Sequence, residues 1–170
     1  LAFLALGGVA WSRSRGLAAL AVAVALTWWL GSLWMGAAFW HRGPLVHLLL
    51  AYPSVWPRLT WVRVVIVLGY AVAAWPSAWA DARVAVTSAA VLVVARVAVS
   101  VRRGGGVAAR QVFEVLPVLL VAAAIVGDVI ARAVVPLGGA VRPSFLVFCG
   151  ALVAAATLQA AGLRHSASAR

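Results

Sequence analysis

The side chains that could do chemistry here are few. The acids are Asp81, Glu114 and Asp128; the histidines are His41, His47 and His165; the single thiol is Cys149. Glu114 and Asp128 share one apolar run. At 100° per residue they stand about 40° apart around a helix and roughly 21 Å apart along it, near opposite ends of that run. An ionisable group in hydrocarbon is costly and faces the protein interior or a water-filled cavity, so these acids could serve a proton- or ligand-sensing site. A local alternative is preferred. Arg110 precedes Glu114 by four residues and Arg132 follows Asp128 by four, a spacing that lets each acid be neutralised along its own helix. Arg96 lies about one and a half turns before Arg102 and is expected to snorkel to the headgroups, in a structural role.

His41 and His47 flank a Gly-Pro break, and neither has a carboxylate or cysteine beside it. A histidine pair holding a metal on one helix wants i, i+4 spacing, so no metal is expected, and no cofactor. Imidazole titrates near neutrality, which leaves a pH response chemically available. His165 reads as solvated. A lone cysteine excludes an internal disulfide or a cysteine cluster, and Cys149, between Phe148 and Gly150, reads as an inert apolar thiol. Gly104 to Gly106 is followed by no Lys-Ser/Thr pair, and no nucleophile–base constellation is visible, so no catalytic residue is assigned.

The elements that must position these residues are apolar. Of 170 residues 66% are hydrophobic and 10% charged, against about 25% charged in soluble domains. That composition excludes an ordinary soluble globule and a disordered tail. It implies an all-α, polytopic helical membrane protein of about six transmembrane helices. The first, Leu1 to Trp11, is about 17 Å long against a hydrocarbon core of roughly 30 Å, and it reads as a truncated span. The others are expected over 16–40, 61–79 (ended by Pro76), 83–101, 111–135 and 144–163. Between the second and third lies His41-Arg42-Gly43-Pro44, with Gly43 as cap and Pro44 at the first helical position. It opens a short interfacial or re-entrant helix over 45–51, stopped by Tyr52-Pro53-Ser54. Residues 1–163 form one multi-span domain, and 164–170 a polar cytoplasmic tail or the start of a linker.

All fourteen basic residues are Arg, and the net charge is +11. They sit at the ends of apolar runs rather than on one polar face, so the partner implied is the lipid bilayer and not nucleic acid. A cytoplasmic C-terminus puts the larger share of Arg inside, in 41–63, 102–110 and the tail, in keeping with the positive-inside rule. Arg13 and Arg15 run against it. Trp40, Trp56, Trp61, Trp75 and Trp79 fall near span ends, the aromatic-belt position. Trp28, Trp29 and Trp34 lie inside the second run and are expected to pack against helices or lipid.

The stretch Phe39-Trp40-His41-Arg42-Gly43-Pro44-Leu45-Val46-His47-Leu48-Leu49-Leu50-Ala51-Tyr52-Pro53-Ser54 resembles a segment in the N-terminal membrane regions of actinobacterial two-component sensor histidine kinases, where it follows the second span. The family commonly has Gly-Arg soon after Tyr-Pro-Ser; here Val55-Trp56-Pro57-Arg58 intervenes. The phospho-acceptor helix and the ATP-binding boxes of such a kinase are not among these residues. The resemblance implies a sensor or signal-input domain of a bacterial plasma membrane, a homodimer as part of a kinase. It would reach a response regulator only through an output module outside this chain. On that reading His41, Arg42, Gly43, Pro44, His47, Tyr52 and Pro53 are the candidates for signal relay. Two other readings stand beside it. A small transporter or channel subunit would need a polar path through several spans, and only one run carries two acids. A structural assembly protein would be recognised by a stable partner.

Overall fold

Unbroken runs of Ala, Val and Leu offer few side-chain groups that compete with the i→i−4 backbone ladder, and in a medium without water that ladder must close within each segment. The computed structural model describes residues 1–12, 14–37, 39–75, 77–78, 81–102, 108–134 and 141–168; of 35, 108–112, 132, 134, 141–145 and 164–168 it describes the backbone alone. Among the described residues the regular structure is helical throughout: α1 (Ala2–Trp11), α2 (Arg15–Leu33), a 3-10 turn (Met35–Ala37), α3 (Arg42–Ala51), α4 (Thr60–Ala73), α5 (Ala82–Arg102), α6 (Ala108–Val134) and α7 (Val141–Ser168).

Among the described residues, four helical segments are long and apolar enough to cross a membrane: Arg15–Leu33, Ala82–Arg102, Phe113–Ala131 and Leu146–Leu163. α1 and α4, with 10 and 14 residues, are shorter. Two of the expected spans therefore stop early. The run 16–40 leaves the helix at Trp34, whose backbone is extended. Ser32 Oγ donates to the Trp29 carbonyl at 2.6 Å, and the Trp34 indole folds back so closely over Gly36 that a Cβ there would lie 2.8 Å from the ring. The run 61–79 ends as helix at Ala73; Pro76, expected to end it, lies outside the described residues, as do Trp79 and residues 103–107. At the other end α7 runs on through Ser168, so most of the stretch read as a tail continues the last helix.

The helix packing closes on itself. α1 touches α2 and α7, α2 touches α3, α3 touches α5, α5 touches α6, and α6 touches α7. α4 lies outside this ring, against α3 and α5. One continuous core runs through it, including Leu17, Leu48, Leu50, Ile66, Val121 and Ala155. The outward faces are also apolar: Leu26, Leu33, Val67, Val94, Val101, Leu119, Ile130 and Leu146 are exposed. Aliphatic side chains spread over every long helix suit lipid rather than water, and the protein is a helical membrane protein.

The short helix α3, read from the sequence as interfacial or re-entrant, is packed inside the protein: Gly43, Pro44, Leu45 and His47 through Ala51 are all buried. It is apolar on nearly every side, and a helix of that kind belongs in a core. It also begins earlier than expected, at Arg42, with His41 at the cap position. Pro44 is then the third helical residue, where its missing N–H would have had no intrahelical acceptor in any case.

Helix starts elsewhere follow ordinary capping chemistry. Ser14 Oγ accepts from Leu17 N at 3.3 Å at the start of α2, and Asp81 Oδ1 accepts from Arg83 N at 2.7 Å at the start of α5. Asp81 is exposed and thus has a local role. Asp81→Ala is expected to lower stability by about 1 kcal/mol, with Asp81→Asn close to wild type, as read from detergent-unfolding midpoints.

Candidate functional site

A helix that ends inside an apolar core leaves its last carbonyls to be satisfied by something other than water. α3 ends this way: Leu50 and Ala51 are fully buried and Tyr52 nearly so. The Leu48 carbonyl accepts from Tyr52 N at 3.1 Å, and the Ala51 carbonyl accepts from both Ser54 N and Ser54 Oγ at 2.8 Å. The remaining carbonyls turn to Arg96 on α5. Its Nη1 donates to the Tyr52 carbonyl at 2.8 Å and reaches those of Leu49 and Leu50 at 3.4 Å. A guanidinium at a helix C-terminus also meets the negative end of the helix dipole.

Arg96 is 0% exposed, so the expected snorkelling does not occur. A buried cation requires an anion, and Glu114 of α6 supplies it. Arg96 Nη2 donates to Glu114 Oε2 at 2.8 Å, and Arg96 Nε donates to the Glu114 carbonyl at 2.9 Å. The carboxylate is itself buried. Pro117, inside α6, has no N–H to offer the carbonyl four residues back, so this turn of α6 already departs from a regular ladder. Glu114 therefore pairs across helices; the side chain of Arg110, its expected local partner, lies outside the described residues. Asp128 is half-buried farther along α6, and the side chain of Arg132, the partner expected for it, likewise lies outside them.

Tyr52 carries the cluster on to α7. Its hydroxyl donates to the Gln159 carbonyl at 2.9 Å. A Cβ on Gly162 would stand 2.7 Å from that hydroxyl and 2.9 Å from Phe113 Cβ, so glycine is what lets the ring seat there. Pro53 follows Tyr52 through a cis peptide bond. At the opposite end of α3, His41 is buried against Trp28 of α2, with ring centroids 4.4 Å apart, and faces Phe148 of α7 at 6.2 Å. The Arg42 guanidinium lies 4.8 Å from the Phe39 ring and 5.7 Å from that of Phe148, within cation–π range.

His47 is held separately, toward α4. Its Nε2 lies 3.0 Å from the Val55 carbonyl, which can only accept, so Nε2 carries the proton and Nδ1 accepts from the Tyr70 hydroxyl at 3.3 Å. Trp56 covers the ring at a centroid distance of 4.6 Å. Gly43 allows this approach, since a Cβ there would meet the Tyr70 ring at 2.7 Å. The two histidines thus serve different neighbours, and among the described residues no three potential metal ligands converge.

Burial pushes the His47 pKa below its ordinary value, and the Val55 hydrogen bond opposes this only in part. A lowered folded-state pKa means that the unfolded chain takes up the proton first. Stability is full above about pH 6.5, falls as the pH drops below that value, and levels off below the folded-state pKa. Melting temperatures between pH 8 and 5 are expected to drop on acidification, and His47→Gln to flatten that dependence.

The candidate relay residues Arg42, Gly43, Pro44, His47, Tyr52 and Pro53 form or flank one buried helix, with His41 as its cap. Arg96 and Glu114, read separately in the sequence, meet at that helix's end. The sequence reading did not single out Gln159, Gly162, Phe148 or Tyr70. The chain matches no protein-family model, no curated protein and no solved structure.

Proposed function

We propose that this chain is a membrane-embedded sensor domain of a bacterial two-component system, relaying a stimulus to a cytoplasmic output module. The observation that carries the reading is the position of the kinase-like segment. Residues 39–54, which resemble the sensor-kinase motif, fold as the buried helix α3 and its flanks, touching the last helix at both ends. A stimulus moves such a domain by binding two helix arrangements unequally, and a non-spanning helix in the core is well placed to differ between them. α7 would pass the change on toward the cytoplasm, in a homodimer of the plasma membrane whose kinase module addresses a response regulator.

The test is signalling in the complete gene product. Replacing His41, Arg42 and Pro44 one at a time is expected to shift output, up or down, while membrane insertion stays intact. Wild-type output from all three variants would overturn the relay role. Coding sequence for a phospho-acceptor helix just beyond Arg170, or a neighbouring response-regulator gene, is the genomic expectation.

A further inference from the structure

We propose that Arg15, Arg58 and Arg63 form a binding site for the headgroup of an anionic phospholipid, built on the segment Val55-Trp56-Pro57-Arg58. This is the segment by which the chain departs from the sensor-kinase pattern, and the inference needs only the membrane setting, not the sensor reading. The base of the site is firmly held. Pro57 is fully buried, and the Val55 carbonyl accepts from His47 Nε2 at 3.0 Å. Ser54 Oγ lies 2.8 Å from the Ala51 carbonyl and 3.2 Å from that of Trp56. The three arginines surround this base. Arg63, near the start of α4, donates from Nε to the Pro57 carbonyl at 2.9 Å, which fixes the direction of its guanidinium and leaves both Nη groups for another acceptor. Arg58 adjoins Pro57 in the chain. Arg15 opens α2, and the next residue, Gly16, lies so close under Val55 that a Cβ there would collide with its side chain. All three arginines are exposed, as are Trp56 and Trp61.

The cluster stands at one end of the long helices. Tyr52 bonds to Arg96, six residues before the end of α5, and to Gln159, four residues before the end of the apolar stretch Leu146–Leu163. Tyr52 therefore sits about 6–9 Å inside that end, and the chain emerges after it at headgroup level, where tryptophan side chains settle. Arg102, also exposed, closes α5 at the same end. Arg15, which runs against the positive-inside rule when α2 is read as starting on the opposite side, joins the other arginines here. That rule then makes this the cytoplasmic end, facing the anionic leaflet. No acid of the chain answers the cluster. Glu114 is buried on Arg96, Asp81 caps the far end of α5, and Asp128 lies fourteen residues beyond Glu114, about 21 Å along α6.

What continues from the cluster matches an amphiphile. A guanidinium takes phosphate oxygens through two parallel N–H groups. Beyond Arg63 the outward face of α4 carries exposed Val64, Val67 and Leu68, an aliphatic strip along which acyl chains can lie. A free phosphate ion would engage the arginines alone.

The experiment titrates the whole chain, in a mild non-ionic detergent, with fluorescently labelled phosphatidylglycerol and with the matching phosphatidylcholine. Phosphatidylglycerol is expected to bind about tenfold or more tightly than phosphatidylcholine. Arg15→Gln, Arg58→Gln and Arg63→Gln are each expected to weaken phosphatidylglycerol about fivefold and to leave phosphatidylcholine unchanged. Arg58 makes no hydrogen bond or ion pair among the described residues, so its replacement removes a charge without touching the fold. Arg83→Gln takes an exposed arginine from the opposite end of α5 and is expected to change neither lipid. Equal affinity for the two lipids would overturn the proposal. So would an Arg83→Gln loss matching that of Arg58→Gln, since net charge and not the cluster would then be responsible. Displacement of the labelled lipid by inorganic phosphate, against chloride at matched ionic strength, would overturn the lipid as ligand in favour of a free anion. No signalling output enters these measurements, so the lipid site and the sensor reading can fail separately.

Discussion

Arg96→Met is expected to lower the stability of the folded domain by about 3–5 kcal/mol, the range for removing one partner of a buried ion pair. The size follows from what is left behind. Glu114 stays buried with no guanidinium, and the Tyr52 carbonyl loses its 2.8 Å donor in an apolar setting. Adding Glu114→Met removes the stranded charge. In many proteins such a double apolar replacement of an ion pair is neutral or stabilising. Here recovery is expected to be incomplete, because the Tyr52 carbonyl, just past the end of α3, accepts from Arg96 and no aliphatic side chain can donate to it. Removing the donor from a buried carbonyl costs about 1–3 kcal/mol. Reversible unfolding in mixed micelles, followed by circular dichroism for the two single variants and the double, checks the pattern. Full recovery in the double variant would mean that capping α3 contributes nothing.

Gly162→Val is the second large effect, with an expected loss of about 1–3 kcal/mol from overpacking. The first added carbon already falls 2.7 Å from the Tyr52 hydroxyl and 2.9 Å from Phe113 Cβ. The hydroxyl can move away with its ring; Phe113 Cβ is tied to the α6 backbone and cannot. Tyr52→Phe should therefore relieve only part of the Gly162→Val defect. Gly150→Val, on the same helix and with open space where its Cβ would lie, is the control and is expected to stay within about 0.5 kcal/mol of wild type. The same unfolding assay reads all four proteins.

The Arg96–Glu114 pair was legible in the sequence, though by a different cue from the one followed. Arg96 lies six residues before the end of α5 and Glu114 six residues after the start of α6. α5 and α6 follow one another in sequence and pack together, so equal distances from the end of one and the start of the other mean equal depth, here about 9 Å from each. Local i, i+4 spacing drew attention to Arg110 instead, because spacing along one helix is visible without knowing which helices are neighbours. The burial of α3 was legible too. From Leu45 to Ala51 its one polar side chain is His47, and a helix without a polar face belongs in a core; its length shows only that it is too short to span a bilayer. The contact of Tyr52 with Gln159 and Gly162 was not legible, since it joins residues more than a hundred positions apart and neither side carries a local pattern. The apolar composition and the long apolar runs were the plainest features, and they imply the helical membrane architecture, although only four of the runs fold as helices long enough to span among the described residues. The early ends of α2 and α4 were hidden because Ala and aromatic residues continue beyond them, and apolar residues do not mark where a helix stops.

The closed ring constrains the order of assembly during synthesis. α1 and α3 both find partners on α7, the last of these helices to leave the ribosome. Until α7 is inserted, α1 lacks one neighbour and Tyr52 has no Gln159 carbonyl to bond. Arg96 and Glu114 must meanwhile meet as soon as the α5–α6 hairpin enters the bilayer, or each faces lipid as a bare charge. The ring is completed only after translation has passed residue 163.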